Sequence, residues 1–155
     1  MIRVYTKERH VKKIHNFLES LNLKHEIFTI NDNPSLTPFE LGVSYCYPRK
    51  ILEPLLSTPS KGFVNYHPAP LPNYRGPNEL NNAIKNMETN WGVSVHYMDE
   101  NYDTGPIIKI KKFELHEPPT NPQELGAVSH YFLFLLFKET ILDIYNKNVV
   151  SYNQK

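Results

Sequence analysis

An amide, an imidazole and a carboxylate occur in two short segments of this 155-residue chain. Asn65 and His67 belong to the string Asn-Tyr-His-Pro, and Asp103 begins the string Asp-Thr-Gly. Such a set can polarise a carbonyl group, stabilise the oxyanion that forms when the carbonyl is attacked, and move a proton. Each residue also has a structural interpretation. Asn65 could cap a turn, His67 could be a buried histidine with satisfied hydrogen bonds, and Asp103 could hold a turn.

The elements that must position these side chains follow from the hydrophobic pattern. Alternating, β-rich segments predict strands at residues 2–6, 26–30, 41–47, 62–66, 93–98 and 107–115. Apolar residues at helical spacing predict helices at 11–23, 79–87 and 124–146, a short helical turn at 49–56, and Asn78 as a cap. Strands separated by helical segments favour an α/β domain with a mainly parallel sheet.

The predicted strands place the three polar residues near one another. In open α/β sheets, ligands bind beyond the carboxyl ends of the strands. Asn65 and His67 lie where one strand should finish, and Asp103 lies just past the strand that ends near Met98. The loop 68–72 has three prolines in five residues, which predicts a stiff wall beside this edge.

Composition predicts one soluble domain spanning residues 1–155, with 40% hydrophobic and 21% charged residues. A net charge of +1 predicts no nucleic-acid or membrane partner.

The N-terminus lacks a signal-like apolar region, so we expect a cytoplasmic protein. The longest apolar run, 131–137, is too short to span a membrane. We expect it to pack on the sheet, with one side available for a homodimer.

Three ordered motifs resemble those of the folate-dependent formyltransferases, a family that includes glycinamide ribonucleotide transformylase, methionyl-tRNA formyltransferase and the sugar N-formyltransferases. They are the strings at 63–76, 92–100 and 103–108, and the resemblance is specific from Leu41 to Phe113. The family shares a strand ending Asn-x-His-Pro, a Leu-Pro-x-Tyr/Phe-Arg-Gly loop and a later Asp-x-Gly-x-Ile-Ile. The resemblance implies a compact, shortened Rossmann-like formyltransferase domain.

The resemblance also implies a reaction and its catalytic residues. An amine would attack the formyl carbon of N10-formyltetrahydrofolate, the co-substrate, without a covalent enzyme intermediate. Asn65 would donate its amide to the oxyanion, and a protonated His67 would help to stabilise it. Asp103 would orient His67 or a water and pass the amine proton to the departing nitrogen.

Further roles follow from the family pattern. Arg75 either grips the acceptor or fixes the proline loop, and His96 either reaches the substrate site or packs in the strand. The Leu71-Pro72 bond is a candidate for the cis form. Folate would lie between two groups of residues and be held largely by backbone groups. These residues are Tyr47, Pro48 and Ile51 on one side, and Asn101, Tyr102 and Asp103 on the other.

The chain departs from the family pattern in its N-terminal half. Only 64 residues precede Asn65, and 31–40 looks like the place where a strand–helix unit is missing. The first strand is followed by Lys7-Glu8-Arg9-His10, without the glycine-rich phosphate turn of the purine enzyme. The near-neutral charge and the lack of a β domain after Lys155 argue against transfer RNA.

These departures leave a small amine as the acceptor, and a nucleotide-linked amino sugar is preferred. A formyltetrahydrofolate hydrolase and a non-catalytic folate-binding remnant remain alternatives. The seven histidines are scattered and none is spaced from a carboxylate in a way that we interpret as a ligand set, so we expect no metal.

Overall fold

A computed structural model describes residues 1–155, which contain six strands and three helices. The strands are β1 (Ile2–Thr6), β2 (His25–Phe28), β3 (Leu41–Tyr45), β4 (Phe63–His67), β5 (Asn90–Tyr97) and β6 (Ile107–Glu114). The helices are α1 (Glu8–Ser20), α2 (Glu79–Lys85) and α3 (Pro122–Tyr145).

The strands form one sheet in the order β2-β1-β3-β4-β5-β6. β1 runs parallel to β2 and to β3, whereas β5 and β6 are antiparallel. The expected α/β class with a mainly parallel sheet is therefore confirmed. The chain divides into two compact units, Met1–Asn65 and Tyr66–Lys155, with the boundary inside β4. We call them the N-terminal and C-terminal units and describe each by itself.

The first predicted helix differs from the observed structure in its bounds. Helix α1 begins at Glu8 rather than at residue 11. Its first residues are polar, so a pattern of apolar residues at helical spacing does not detect them. The short helical turn predicted at 49–56 is present as a single turn, in which the Leu56 N–H donates to the Leu52 carbonyl oxygen at 3.1 Å, and it does not extend into a helix. Pro54 limits the length of this turn, as its missing N–H and fixed φ predict. Asn78 precedes α2, but its side chain makes no capping hydrogen bond.

A buried arginine organises the N-terminal unit where residues 31–40 form no helix or strand. Arg3 is 3% exposed and donates hydrogen bonds to the carbonyl oxygens of Ser35 and Thr37 and to the Thr37 hydroxyl. Its guanidinium also pairs with Glu26 and lies over the Phe39 ring. The N–H groups of the planar guanidinium thereby supply hydrogen bonds to carbonyl oxygens in a segment that forms no helix or strand.

Helix α3 anchors the C-terminal unit. It is long and apolar enough to cross a membrane by length and composition, a test that core helices of soluble proteins also pass. Nine of its residues are buried, including Leu133, Leu136 and Phe137 of the apolar run. Buried hydrogen bonds join it to strands: Trp91 Nε1 donates to Ser129, and the Tyr66 and Thr140 hydroxyls pair at 2.8 Å.

The Tyr66–Thr140 pair gives a test of how α3 is held. Thr140 donates to the Leu136 carbonyl oxygen at 2.6 Å, so Tyr66 is the donor of the pair, and burial raises the pKa of its hydroxyl. We predict that Thr140→Val, which leaves a buried donor unpaired, lowers the free energy of unfolding by about 1–3 kcal/mol. Tyr66→Phe should cost about 1 kcal/mol, and the double variant should cost less than the sum of the two. Urea unfolding measures all three values, and strict additivity would contradict the pairing.

Candidate functional site

Three titratable side chains of the C-terminal unit form a buried cluster. His67 ends β4, His96 lies near the end of β5, and Asp103 lies in the loop before β6. Their exposed fractions are 5%, 2% and 8%. The Asp103 carboxylate lies between the rings, with Oδ2 at 3.6 Å from His67 Nδ1 and Oδ1 at 3.4 Å from His96 Nε2. The structure therefore brings together residues that the sequence separates by up to 36 positions.

Backbone conformation delivers Asp103 to this position. Asp103 has a φ of 54°, in the left-handed region that aspartate tolerates better than most residues. A Cβ atom on Gly105 would overlap the carbonyl oxygen of Tyr97, so only glycine fits where this loop returns to the sheet. The Asp-Thr-Gly string is thus explained by the close approach of the loop to the end of β5.

A backbone amide from the proline loop completes the carboxylate's environment. Gly76 has a φ of 85°, and its N–H donates to Asp103 Oδ2 at 2.8 Å. The glycine that follows Arg75 in the motif therefore permits a conformation in which a backbone amide is directed at the carboxylate.

The tautomer of His67 follows from its partners. Nε2 lies 2.6 Å from the carbonyl oxygen of Tyr74, which only accepts, so Nε2 carries a proton and donates it. The 3.6 Å gap from Nδ1 to Asp103 is too long for a hydrogen bond. A proton on Nδ1 therefore has no committed acceptor at this distance, which makes Nδ1 the nitrogen suited to donate to a substrate.

Tyr74 is itself fixed on its ring side. Its hydroxyl donates to Glu88 at 2.6 Å and accepts from Asn86 at 3.0 Å, and its ring meets Trp91 edge-on. These contacts hold its carbonyl oxygen in place for His67. A cavity of about 600 Å³ lies beside the Tyr74 ring, and its lining includes Trp91 and Phe113 but none of the clustered residues.

His96 is positioned by β5. Its Nδ1 lies 2.8 Å from the Tyr97 carbonyl oxygen, so this nitrogen donates and Nε2 faces Asp103. The pairing of β5 with β6 shifts register between Val95 and His96, an irregularity of the kind that re-aims side chains beside sites. Two residues earlier in β5, the buried Ser94 hydroxyl donates to the Ala69 carbonyl oxygen and accepts from the Leu71 N–H.

The proline loop is held by this serine, and the cis Leu71-Pro72 bond expected from the sequence is confirmed. Arg75 is exposed, and its guanidinium donates to Gln154 Oε1 at 2.9 and 3.1 Å. This contact supports the structural interpretation of Arg75 as a residue that fixes the loop.

Gln154 is a site residue that the sequence did not indicate. Its amide nitrogen donates to the carbonyl oxygens of Asp103 and Gly105 at 2.8 and 2.7 Å, while its oxygen accepts from Arg75. The same tail pairs with β6 at Tyr152 and Ile107. Because all amide hydrogen bonds go to residues distant in sequence, no local motif could have revealed this clamp.

The remaining predicted site residues are not part of the buried cluster of His67, His96 and Asp103. Asn65 is half-buried and precedes His67 by two positions, so both side chains lie on the same face of β4. Tyr47, Pro48 and Ile51 follow β3 in the N-terminal unit, and of these only Ile51 is buried. Asn101 and Tyr102 are exposed in the C-terminal unit, in a loop that Asp99 organises through Thr104.

The electrostatics of Asp103 are set by its neighbours. Burial raises the pKa of its carboxyl group, but the hydrogen bond from His96, the charge of His67 and the Gly76 N–H outweigh burial. The pKa falls from 3.8 to about 2. Asp103 is therefore an anion at neutral pH.

The C-terminal unit thus holds two imidazoles beside a fixed carboxylate near the ends of β4 and β5, a set of groups that can hold charge and move a proton. Residues 31–127 match the family model described as "Formyl transferase". The chain is 32% identical over 149 residues to a methionyl-tRNA formyltransferase of Flavobacterium psychrophilum, covering 94% of this chain and 45% of the relative. The chain belongs to the formyl transferase family.

Solved structures show the same fold. The formyltransferase PseJ of Anoxybacillus kamchatkensis, in complex with UDP-4,6-dideoxy-4-formamido-L-AltNAc and tetrahydrofolate, has a TM-score of 0.80 at 23% identity, covering 99% of this chain and 81% of that one. An N-formyltransferase of Helicobacter canadensis, in complex with folinic acid and dTDP-3-aminofucose, has a TM-score of 0.85 at 19% identity, covering 99% and 67%. The chain spans less than half the length of the first curated relatives that it matches.

The lowered pKa of Asp103 predicts a pH dependence of stability. A carboxyl pKa of about 2 in the folded protein, against 3.8 as reference, contributes on the order of 2 kcal/mol above pH 4. This contribution is lost as the pH falls from 4 through 2, with on the order of 1 kcal/mol gone by pH 3. Urea unfolding at pH 5 and pH 3 should show a smaller loss for Asp103→Asn than for the unchanged protein. Equal losses would contradict the assignment.

The Gln154 clamp predicts a local effect on the Asp103 loop. Gln154→Ala should accelerate amide hydrogen exchange in residues 99–106, because the two carbonyl contacts that hold this loop are lost. Gln154→Glu keeps an acceptor for Arg75 but removes both donors, so it should accelerate exchange at least as much. Exchange in β1 of the N-terminal unit is the internal control. Unchanged exchange at 99–106 in both variants would refute the clamp.

Proposed function

We propose that this chain is the catalytic part of an N-formyltransferase that moves a formyl group from N10-formyltetrahydrofolate to a small amine. The observation that carries the proposal is the buried cluster of His67, His96 and Asp103 in a chain of the formyl transferase family. Tetrahydrofolate and folinic acid in the complexes of the two structural neighbours support folate as the co-substrate. A cytoplasmic location is part of the same proposal.

The proposed reaction needs an oxyanion site and a route for one proton. The amine nitrogen attacks the formyl carbon, a new C–N bond forms, and the carbonyl oxygen becomes an oxyanion. The bond from this carbon to N10 then breaks and the C=O bond is restored. The proton lost by the amine goes to N10, which leaves a formamide and tetrahydrofolate.

We assign the oxyanion to His67 and Asn65. Nε2 of His67 is committed to Tyr74, so Nδ1–H donates to the developing negative oxygen, with the Asn65 amide as second donor. The two residues are two positions apart in β4, so their side chains lie on one face of the strand. A protonated ring supplies charge as well as a hydrogen bond.

The Asp103 carboxylate serves this scheme as a fixed anion. A group with a pKa of about 2 is a weak base near neutral pH, far from the value that suits a proton carrier. Its role is to orient His67 or a water. The amine proton then travels through such a water or the imidazole. Of the two roles that the family resemblance implied for Asp103, positioning is therefore kept, and carrying the proton is assigned to the water or to the imidazole.

A nucleotide-linked amino sugar is our preferred acceptor. The ligands of both structural neighbours contain a nucleoside diphosphate attached to an amino or formamido sugar. The methionyl-tRNA relative supports transfer RNA instead. A net charge of +1 provides little general attraction for a large polyanion, and we therefore favour the sugar.

Folate binding is proposed for the residues that follow β3 and β5. In the N-terminal unit the half-buried Tyr47 and the exposed Pro48 offer surface for a planar ring, and the buried Ile51 follows them in the chain. In the C-terminal unit, Asn101 and the exposed Tyr102 flank Asp103 and would offer backbone groups. The acceptor-binding roles of Arg75 and His96 are weaker proposals, because Arg75 contacts Gln154 and His96 is buried against Asp103.

The test is spectrophotometric release of tetrahydrofolate from N10-formyltetrahydrofolate with a panel of acceptors. The panel contains UDP- and dTDP-linked amino sugars, glycinamide ribonucleotide and methionyl-tRNA. Release that requires one amino sugar supports the proposal in full, and release that requires methionyl-tRNA keeps the transferase but refutes the sugar. Release without acceptor indicates a hydrolase, and folate binding without any release indicates a non-catalytic remnant.

The assigned roles predict the size of each loss. His67→Ala should lower kcat by about 10²–10⁴-fold, since it removes a positioned acid. Asn65→Ala should lower it by about 10²–10³-fold, since it removes one oxyanion donor. Circular dichroism should show an intact fold in both. His116→Ala, an exposed histidine before α3, is the matched control and should retain full activity. Activity of His67→Ala within a factor of about three of the control is incompatible with its role.

A further inference from the structure

A second cluster of ligand-type side chains lies in the N-terminal unit, away from the residues used above. His15 and Glu19 are four residues apart on α1, which places them on one face of the helix. His25 is the first residue of β2, at the end of the connection from α1. One potential ligand atom from each of the three side chains lies within 4.8 Å of the other two.

The orientation of His25 is fixed by the backbone. Its Nδ1 lies 2.7 Å from the Leu23 carbonyl oxygen, so Nδ1 carries the proton and donates it. In the neutral ring, Nε2 then presents a lone pair, and this atom lies 2.9 Å from His15 Nδ1. A histidine whose second nitrogen donates to a carbonyl oxygen is the arrangement that orients metal-ligating imidazoles.

We propose that His15 Nδ1, His25 Nε2 and the Glu19 carboxylate bind a divalent transition metal ion of the zinc class. Two nitrogens at about 2.0–2.1 Å from tetrahedral zinc lie about 3.3 Å apart. The observed 2.9 Å therefore needs an adjustment of only a few tenths of an ångström. Two imidazoles and a carboxylate are a known zinc ligand set, and water can complete the coordination because His15 and Glu19 are exposed.

The ion would take the place of the proton that the two rings share. His15 is exposed, so its Nδ1 proton can pass through solvent to Nε2, and neutral rings release no net proton. Imidazole nitrogens select zinc, copper or nickel over magnesium and calcium. The bound ion would cross-link α1 to β2 and stabilise the N-terminal unit without entering the formyl-transfer chemistry.

The test uses the full chain without a polyhistidine tag and titrates zinc in competition with a chromophoric chelator. We expect one zinc per chain and a rise in Tm of about 5 °C or more at saturating zinc, because the ion binds the folded state. His15→Ala and His25→Ala should weaken binding by at least about 10–100-fold, the cost of losing even a supporting partner. Glu19→Gln should weaken it less, and His116→Ala should bind like the unchanged protein.

Imidazole ¹⁵N NMR of the unchanged protein gives a readout that does not depend on how the variants fold. Zinc should shift the resonances of His25 Nε2 and His15 Nδ1 and leave the other histidines in place, and magnesium should shift none. Equal zinc affinity in all four variants, shifts confined to other histidines, or no saturable binding would each overturn the proposal.

Discussion

The buried negative charge of Asp103 is the constraint on which the arrangement of the C-terminal unit depends. A carboxylate that is 8% exposed is costly unless donors surround it. Here the Gly76 N–H and the ring of His96 donate hydrogen bonds to the carboxylate, and the charge of His67 acts on it as well. Together these groups lower the pKa of Asp103 despite its burial. Each of them comes from a different part of the chain, so the loop after β4, strand β5 and the loop before β6 must all meet at this carboxylate.

The motif residues without chemistry of their own are explained by the same constraint. Gly76 adopts a positive φ so that its amide reaches the carboxylate, and Gly105 leaves room for the Tyr97 carbonyl oxygen where the loop returns. Around them, Ser94 holds the proline loop and Gln154 holds the carbonyl oxygens on either side of Thr104. The side chains of the cluster are thus held by their neighbours, which is the condition that the proposed stabilisation of an oxyanion requires.

In the proposed reaction, the fixed Asp103 carboxylate and the less constrained His67 imidazole have different roles. Asp103 accepts a hydrogen bond from the Gly76 N–H and lies 3.4 Å from His96 Nε2, whereas His67 has one nitrogen bound to Tyr74 and the other 3.6 Å from the carboxylate. The looser contact is the one that can change during a reaction. The N-terminal unit is stabilised in a different way, through hydrogen bonds from Arg3 to the irregular segment 31–40.

The sequence by itself determined the α/β class, all six strands to within a few residues, the family and the cis Leu71-Pro72 bond, because alternation, helical spacing and compact motifs depend on neighbouring residues. At 49–56 it predicted a short helical turn, and a single turn forms there from Leu52 to Leu56. Only the tertiary structure placed His96 on Asp103, Gln154 on the Asp103 loop, and His15 beside His25. These contacts join residues 7, 51 and 10 positions apart, and a hydrogen bond between distant residues is decided by how the strands and helices pack, which no local pattern encodes.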